Sequence, residues 1–261
     1  APLIGSLLMI FMPWQGIYYV VTGLLIFILI SYLKKIPETI DPEKKQPLNT
    51  LRILRNYISI LKTPPSVALI FAITALEIVA ISIPSLLPAV LIVDYHISPT
   101  YSSILLGSSI VAIMCGMLSN QYLVGRGVAI NLVWRYFSLF LLLSIVFNLF
   151  LVLTQTINPV LLLLNIAVNG FFVGALNSTM YSVYLMRYGH ITGTALSLLL
   201  SLMLILSGII LAPVAHFSRF GGLTLVSVIG IAAFLVALIN LSYQRIWGID
   251  EEQAANTPGG H

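Results

Sequence analysis

The chain has 261 residues, of which 59% are apolar and only 8% are charged. Soluble domains carry about 25% charged residues, so this composition excludes a water-facing globular surface and with it a soluble enzyme. The formal charge of +4 does not point to nucleic acid, because the basic residues fall between apolar segments and read as topology signals instead.

Eight apolar segments follow one another: 1–12, 15–33, 66–91, 99–119, 131–153, 159–184, 191–214 and 221–243. A membrane-spanning helix needs about 20 apolar residues, and the first segment is too short for that. It is expected to be the end of a helix that begins upstream, since the chain opens without Met or a basic flank. The other seven are expected to be transmembrane helices, because the backbone must satisfy its own polar groups in lipid. Strands of a barrel would alternate polar and apolar residues, and these segments are apolar all round.

The connection after the second segment is long and basic. Residues 34–47, KKIPETIDPEKKQP, have linker composition. LNTLRILRNYISILK then predicts an amphipathic helix with Leu51, Leu54, Ile58 and Leu61 on one face, and its Arg52, Arg55 and Lys62 suit anionic headgroups. Eleven Lys and Arg fall on the side of this loop and one, Arg219, on the other. This asymmetry predicts that the loop and the C-terminal tail are cytoplasmic and that Asp94, His96 and His216 are outside.

Glu77 is the one acid inside an apolar segment. An ionisable group at that depth faces a bundle interior or an aqueous path and marks proton or ion traffic; the bland alternative is an acid paired with an interhelical hydroxyl or amide. Asn165, Asn169 and Asn177 share the segment 159–184, the first two on one helix face, and as a set predict a cavity wall. Interhelical hydrogen bonding is the alternative for each. The Asn177-Ser178-Thr179 glycosylation match lies in a membrane segment and carries no information. Gly170 and Gly174 form a GxxxG that admits a close neighbouring helix, and Gly107 and Gly116 have the same potential. Pro84 and Pro88 allow a bend near the outer end of their segment. Arg126 sits at a turn from Asn120 to Asn131, placed either to tie helix ends through terminal carbonyls or as a topology charge. Cys115, the single cysteine, reads as apolar filler. No metal-ligand spacing, phosphate-binding glycine loop or nucleophile elbow occurs, so neither a cofactor nor enzyme chemistry is expected.

Several short stretches resemble the major facilitator superfamily. Ala1-Pro2-Leu3-Ile4-Gly5-Ser6 is similar to the G-P-x-x-G-G end of the helix-five antiporter motif, Trp14-Gln15-Gly16-Ile17-Tyr18-Tyr19 to the start of helix six, and Pro37-Glu38-Thr39 to the P-E-T that closes it. Gly189 to Leu198, GHITGTALSL, resembles the P-H-x-A-G-T-A-S-S-L that opens helix eleven in the Bcr/CflA drug:proton antiporters. Asn120-x-x-Leu123-Val124-x-Arg126 is similar to their helix 8–9 turn, although Gly127 follows Arg126 without a spacer.

The resemblance implies an all-α major facilitator fold entered within helix five: 1–33 ending the N-terminal half, 34–65 a cytoplasmic linker, 66–243 the C-terminal six-helix half and 244–261 a tail. It implies proton-driven export of small lipophilic compounds across a bacterial inner membrane. The implied partners are membrane lipid, the substrate, protons and N-terminal helices missing from the chain. Glu77, Asn165, Asn169 and Asn177 would line the proton and substrate pathway; Pro2, Gly5, Gly170, Gly174 and Gly193 would serve the antiporter motif and helix packing; Asn120 and Arg126 would form the cytoplasmic turn. A transporter of another small molecule (a metabolite or siderophore) and a degenerate, non-transporting interaction protein are the alternatives.

The orientation has a direct check. Cysteines placed singly at 44, 96 and 251 in a Cys115→Ser background should differ in intact cells: an impermeant maleimide is expected to label 96 and not 44 or 251. Labelling of 44 but not 96 would reverse the assignment.

Overall fold

A computed structural model describes Gly5, Leu8 and residues 11–35, 50–216 and 221–247. Pro2, the Pro37-Glu38-Thr39 stretch, Lys44, Arg219 and the tail beyond Trp247 lie outside the described residues. The chain divides into two units, Ala1–Arg52 and Ile53–His261, and the division falls inside the basic connection.

In the first unit, α1 spans Trp14–Lys35 and ends on Lys34 and Lys35. The amphipathic helix α2, Thr50–Leu61, leads into the second unit. Six long helices follow: α3 Pro64–Ala89, α4 Pro99–Gly125, α5 Ile130–Thr154, α6 Pro159–Met186, α7 Thr192–His216 and α8 Gly222–Ile246. Seven helices among the described residues are long and apolar enough to cross a membrane, and no described residue is in a strand. The chain is an all-α, multi-pass membrane protein.

Local chemistry sets the ends. Proline opens α3, α4 and α6, where its missing N–H is no loss. Asn158 caps α6 by accepting the Leu161 N–H at 2.9 Å. The end of α4 is a two-bond αL cap: Gly127 has φ +83°, its N–H reaches Val124 O at 2.9 Å and the Val128 N–H reaches Leu123 O at 3.1 Å. Gly127 directly after Arg126 is therefore what this cap requires. At its other end α3 runs through Pro84 and Pro88 and widens into a π-helical turn over Val90–Asp94. That turn delivers Tyr95, whose hydroxyl donates to Ile157 O at 2.6 Å, and brings the Asp94 carboxylate against Gly221, itself at φ +55°. Burial, with the Asp94 charge beside it, pushes the Tyr95 phenol above its usual range, so it remains a donor throughout neutral pH.

Within the second unit α3, α6 and α8 are the most buried spans and α4, α5 and α7 surround them. The closest pairing is α4 with α6; α8 packs on both α3 and α5, and α7 lies against α3. Glycine explains the first pairing. A Cβ on Gly116 would overlap the Phe171 carbonyl, and one on Gly174 would overlap the Ile113 carbonyl, so the two backbones touch. Gly170 is also in this interface, 3.2 Å from Ile113 Cγ1 as judged from where its Cβ would stand. Gly5 and Gly193, by contrast, have nothing within 4 Å of that position among the described residues. Gly193 lies in the exposed first turn of α7, and most residues around Gly5 lie outside the described ones.

The backbone contact predicts a graded response. Gly174→Ala should lower the unfolding temperature through overpacking worth about 1–3 kcal/mol, whereas Gly193→Ala should leave it unchanged or slightly higher. Thermal unfolding of the purified proteins in detergent, followed by size exclusion, checks both.

Candidate functional site

Glu77 lies near the middle of α3, half-buried, and its carboxylate has no hydrogen bond or ion pair among the described residues. The face of α3 that carries it is open towards its outer half, through Ala80, Ile81, Pro84, Ser85 and Pro88, and sealed at the other end by Ser66, Ile70 and Ile73. Tyr181 on α6 lies close enough for the Glu77 charge to act on its phenol. The Tyr181 hydroxyl in turn donates to Met203 Sδ on α7 at 3.2 Å. The Tyr181–Met203 pair thus joins α6 to α7, both of which pack against α3, the helix that carries Glu77. Asn177 stands one turn from Tyr181 on α6, also half-buried.

Asn165 and Asn169 occupy a different place. Both are fully buried between α5 and α6 in a polar cluster with Ser144 and Asn148. The Asn165 amide donates to Asn148 Oδ1 at 3.0 Å, Ser144 Oγ donates to Asn169 Oδ1 at 3.0 Å, and Asn148 Nδ2 reaches Asn169 Oδ1 at 3.4 Å and Ser144 O at 2.9 Å. This is interhelical hydrogen bonding, not a wall open to a cavity, and for these two residues the wall expectation is corrected. An amide in an apolar interior is costly without partners, and the cluster supplies them from the adjacent helix.

Asn120 is also placed differently from the expected turn. It lies inside α4, buried, with its amide donating to the Ala175 carbonyl and to Thr179 Oγ1 at 2.5 Å. Both amide hydrogens find acceptors on α6, and the helix continues past Asn120 to Gly125. Arg126 then sits at the C-cap, and its guanidinium lies 4.5 Å from the Tyr122 ring centroid, a cation–π contact on its own helix rather than a tie to another helix end. Cys115 is exposed on α4.

Beside Asn120 a cavity of about 650 Å³ opens between α4 and α6. Its wall mixes Met114, Met117, Gln121, Ser178 and Ser182 with aliphatic groups, so it offers soft apolar contact and a few hydroxyls and amides, with no charge. Among the described residues no group of three His, Cys, Asp or Glu could hold a metal ion.

Sequence reasoning missed Ser144, Asn148, Tyr181 and Met203. Asn148 carried a signal, as the one amide in the apolar second half of α5. Tyr181 and Met203 carried none, because both types are ordinary in apolar helices.

A bundle of apolar helices that holds an unpaired acid and a largely apolar cavity with a few polar groups fits a membrane transporter. A sequence profile of the Major Facilitator Superfamily matches residues 1–197, three-quarters of the chain, and the chain belongs to that family. No curated protein matches it at significant similarity.

The buried amide cluster makes a prediction that separates packing from transport. Asn148→Leu should destabilise the bundle by roughly 1–2 kcal/mol, read as a shift in thermal unfolding. Transport per folded molecule should be unchanged, because Asn165 and Asn169 are buried between α5 and α6 and Asn148 reaches only an apolar recess between α5 and α8. A transport loss larger than the loss of folded protein would return the cluster to the pathway.

Proposed function

We propose that this secondary transporter exports small lipophilic compounds in exchange for protons across a bacterial cytoplasmic membrane. The observation that carries the reading is the unpartnered Glu77 carboxylate within a membrane span. A structural acid at that depth would be paired with a cation, hydroxyl or amide; a free one is available for a proton. The Tyr181 phenol beside it and Asn177 one turn away extend a polar track along α6 on the same open side. The methionine- and serine-lined space between α4 and α6 supports a substrate that is mostly apolar with a few hydrogen-bonding groups. In the working cycle one helical half rocks against the other about a midplane site. Glu77 takes a proton while the site faces the outside and releases it while the site faces the cytoplasm; substrate moves the other way.

Glu77→Gln keeps the shape and cannot exchange a proton. In liposomes under an imposed pH gradient, this variant of the full-length protein should lose most proton-driven transport while inserting and folding normally. A downhill, ungradiented flux should survive. Transport as fast as wild type with the same pH dependence would remove Glu77 from the coupling role.

A further inference from the structure

The apolar stripe of α2 is wide, and only one side of it packs against protein. Tyr57 and Ile60 point into the second unit: Ile60 is 1% exposed, and Tyr57 packs on the core. The Tyr57 hydroxyl and Ser197 Oγ on α7 are 2.9 Å apart, and since Ser197 uses its own hydrogen on Thr194 O, Tyr57 is the donor. The adjoining side of the stripe presents Leu54, Ile58 and Leu61, which are 53%, 46% and 45% exposed. Arg55 and Lys62 stand seven residues apart, two helical turns, so both flank Ile58 on one edge of that stripe. Both are exposed, and neither has a hydrogen bond or ion pair among the described residues.

The place of the helix says what covers this face. Only Lys62 and Thr63 separate the end of α2 from Pro64, the first residue of a membrane span. At about 1.5 Å of rise per residue, α2 cannot leave the membrane surface at that end. A helix held there with its apolar stripe outward and two cations along one edge has the form of an interfacial helix. We propose that the outward face of α2 is a binding site for anionic phospholipid, with acyl chains against Leu54, Ile58 and Leu61 and headgroup phosphates at Arg55 and Lys62. The Tyr57–Ser197 hydrogen bond ties the lipid-bound helix to the first turns of α7. This site does not depend on the identity of the cargo or the coupling ion.

The test uses the full chain in a Cys115→Ser background with a bimane fluorophore on Ile58→Cys, reconstituted into mixed phosphatidylcholine and phosphatidylglycerol vesicles. Bromine is carried in the acyl chains of one lipid or the other, and iodide probes from the water. The label should resist iodide and be quenched more strongly by brominated phosphatidylglycerol than by brominated phosphatidylcholine. A basic residue near an anionic surface is worth about fivefold in association, so Arg55→Gln with Lys62→Gln should bring the two quenching efficiencies close to equal. Tyr57→Phe removes the tether and no charge, and should leave the headgroup preference intact. Three results would overturn the proposal: ready quenching by iodide, which puts the face in water; shielding from iodide and from both brominated lipids, which means protein covers it; or quenching with no headgroup preference in the unsubstituted helix. Loss of the preference in Tyr57→Phe would overturn the assignment to Arg55 and Lys62.

Discussion

The contact between the backbones of α4 and α6 sets the positions of most other groups in the second unit. Gly116 and Gly174 let the helices touch, and a side chain at either position would collide with a carbonyl of the other helix. In lipid the hydrophobic effect does not hold helices together, so close van der Waals packing and interhelical hydrogen bonds must do so. Asn120 adds the second kind of contact at the same seam, donating to Ala175 O and Thr179 Oγ1 on α6. With α6 held there, its other faces are assigned. One carries Asn165 and Asn169 to α5, and another carries Tyr181 to Met203 on α7 and towards Glu77 on α3.

The polar residues of the spans therefore sort by what they touch rather than by type. Asn120, Asn148, Asn165 and Asn169 are buried and have partners on neighbouring helices, which fixes register between helices that are otherwise uniformly apolar. Asn240 does similar work deeper in the bundle, donating to Ser138 Oγ on α5 at 3.3 Å. Glu77 differs on both counts, being half-exposed and unpartnered. Leaving an ionisable group free in a low-dielectric region is costly, and Glu77 differs from these asparagines, each of which donates its amide to another group even though the Asn165 and Asn240 Oδ1 atoms have no partner.

The spans were legible in the sequence because a helix in lipid is apolar on every side and ends where polarity returns. The expected segments 66–91 and 159–184 became Pro64–Ala89 with its π turn and Pro159–Met186. What was not legible depends on the partner helix. Asn120 among Ser119, Gln121 and the later Gly125 reads as the beginning of a turn, yet it is helical and its amide is spent on acceptors of α6, which the local sequence does not show. The Gly170-Gly174 spacing points to a close helix approach, but nothing in the chain says that Gly116 is opposite. The spacing of Asn165 and Asn169 gives one shared face correctly; whether that face meets water or α5 is decided by Ser144 and Asn148, residues about 20 positions away on another helix.

The same dependence on surroundings distinguishes the two apolar surfaces of α2. Both arise from one amphipathic pattern, yet the Tyr57–Ile60 face finds protein and the Leu54–Ile58–Leu61 face does not. In a soluble protein an open stripe of this kind would favour association. Here the next element in the chain enters the membrane after two residues, so the solvent at that surface is itself half apolar and carries charge at its boundary. An interfacial helix satisfies both of its faces at once, one with protein and one with lipid. Because α2 is bonded through Tyr57 to Ser197, and Ser66 at the start of α3 shares a hydrogen bond of 2.5 Å with Tyr188 just ahead of α7, the ends of α3 and α7 are linked on the side of the bundle that carries α2. α3 also carries Glu77, so these polar ties hold the helix of the unpaired acid to α7 within one half of the bundle.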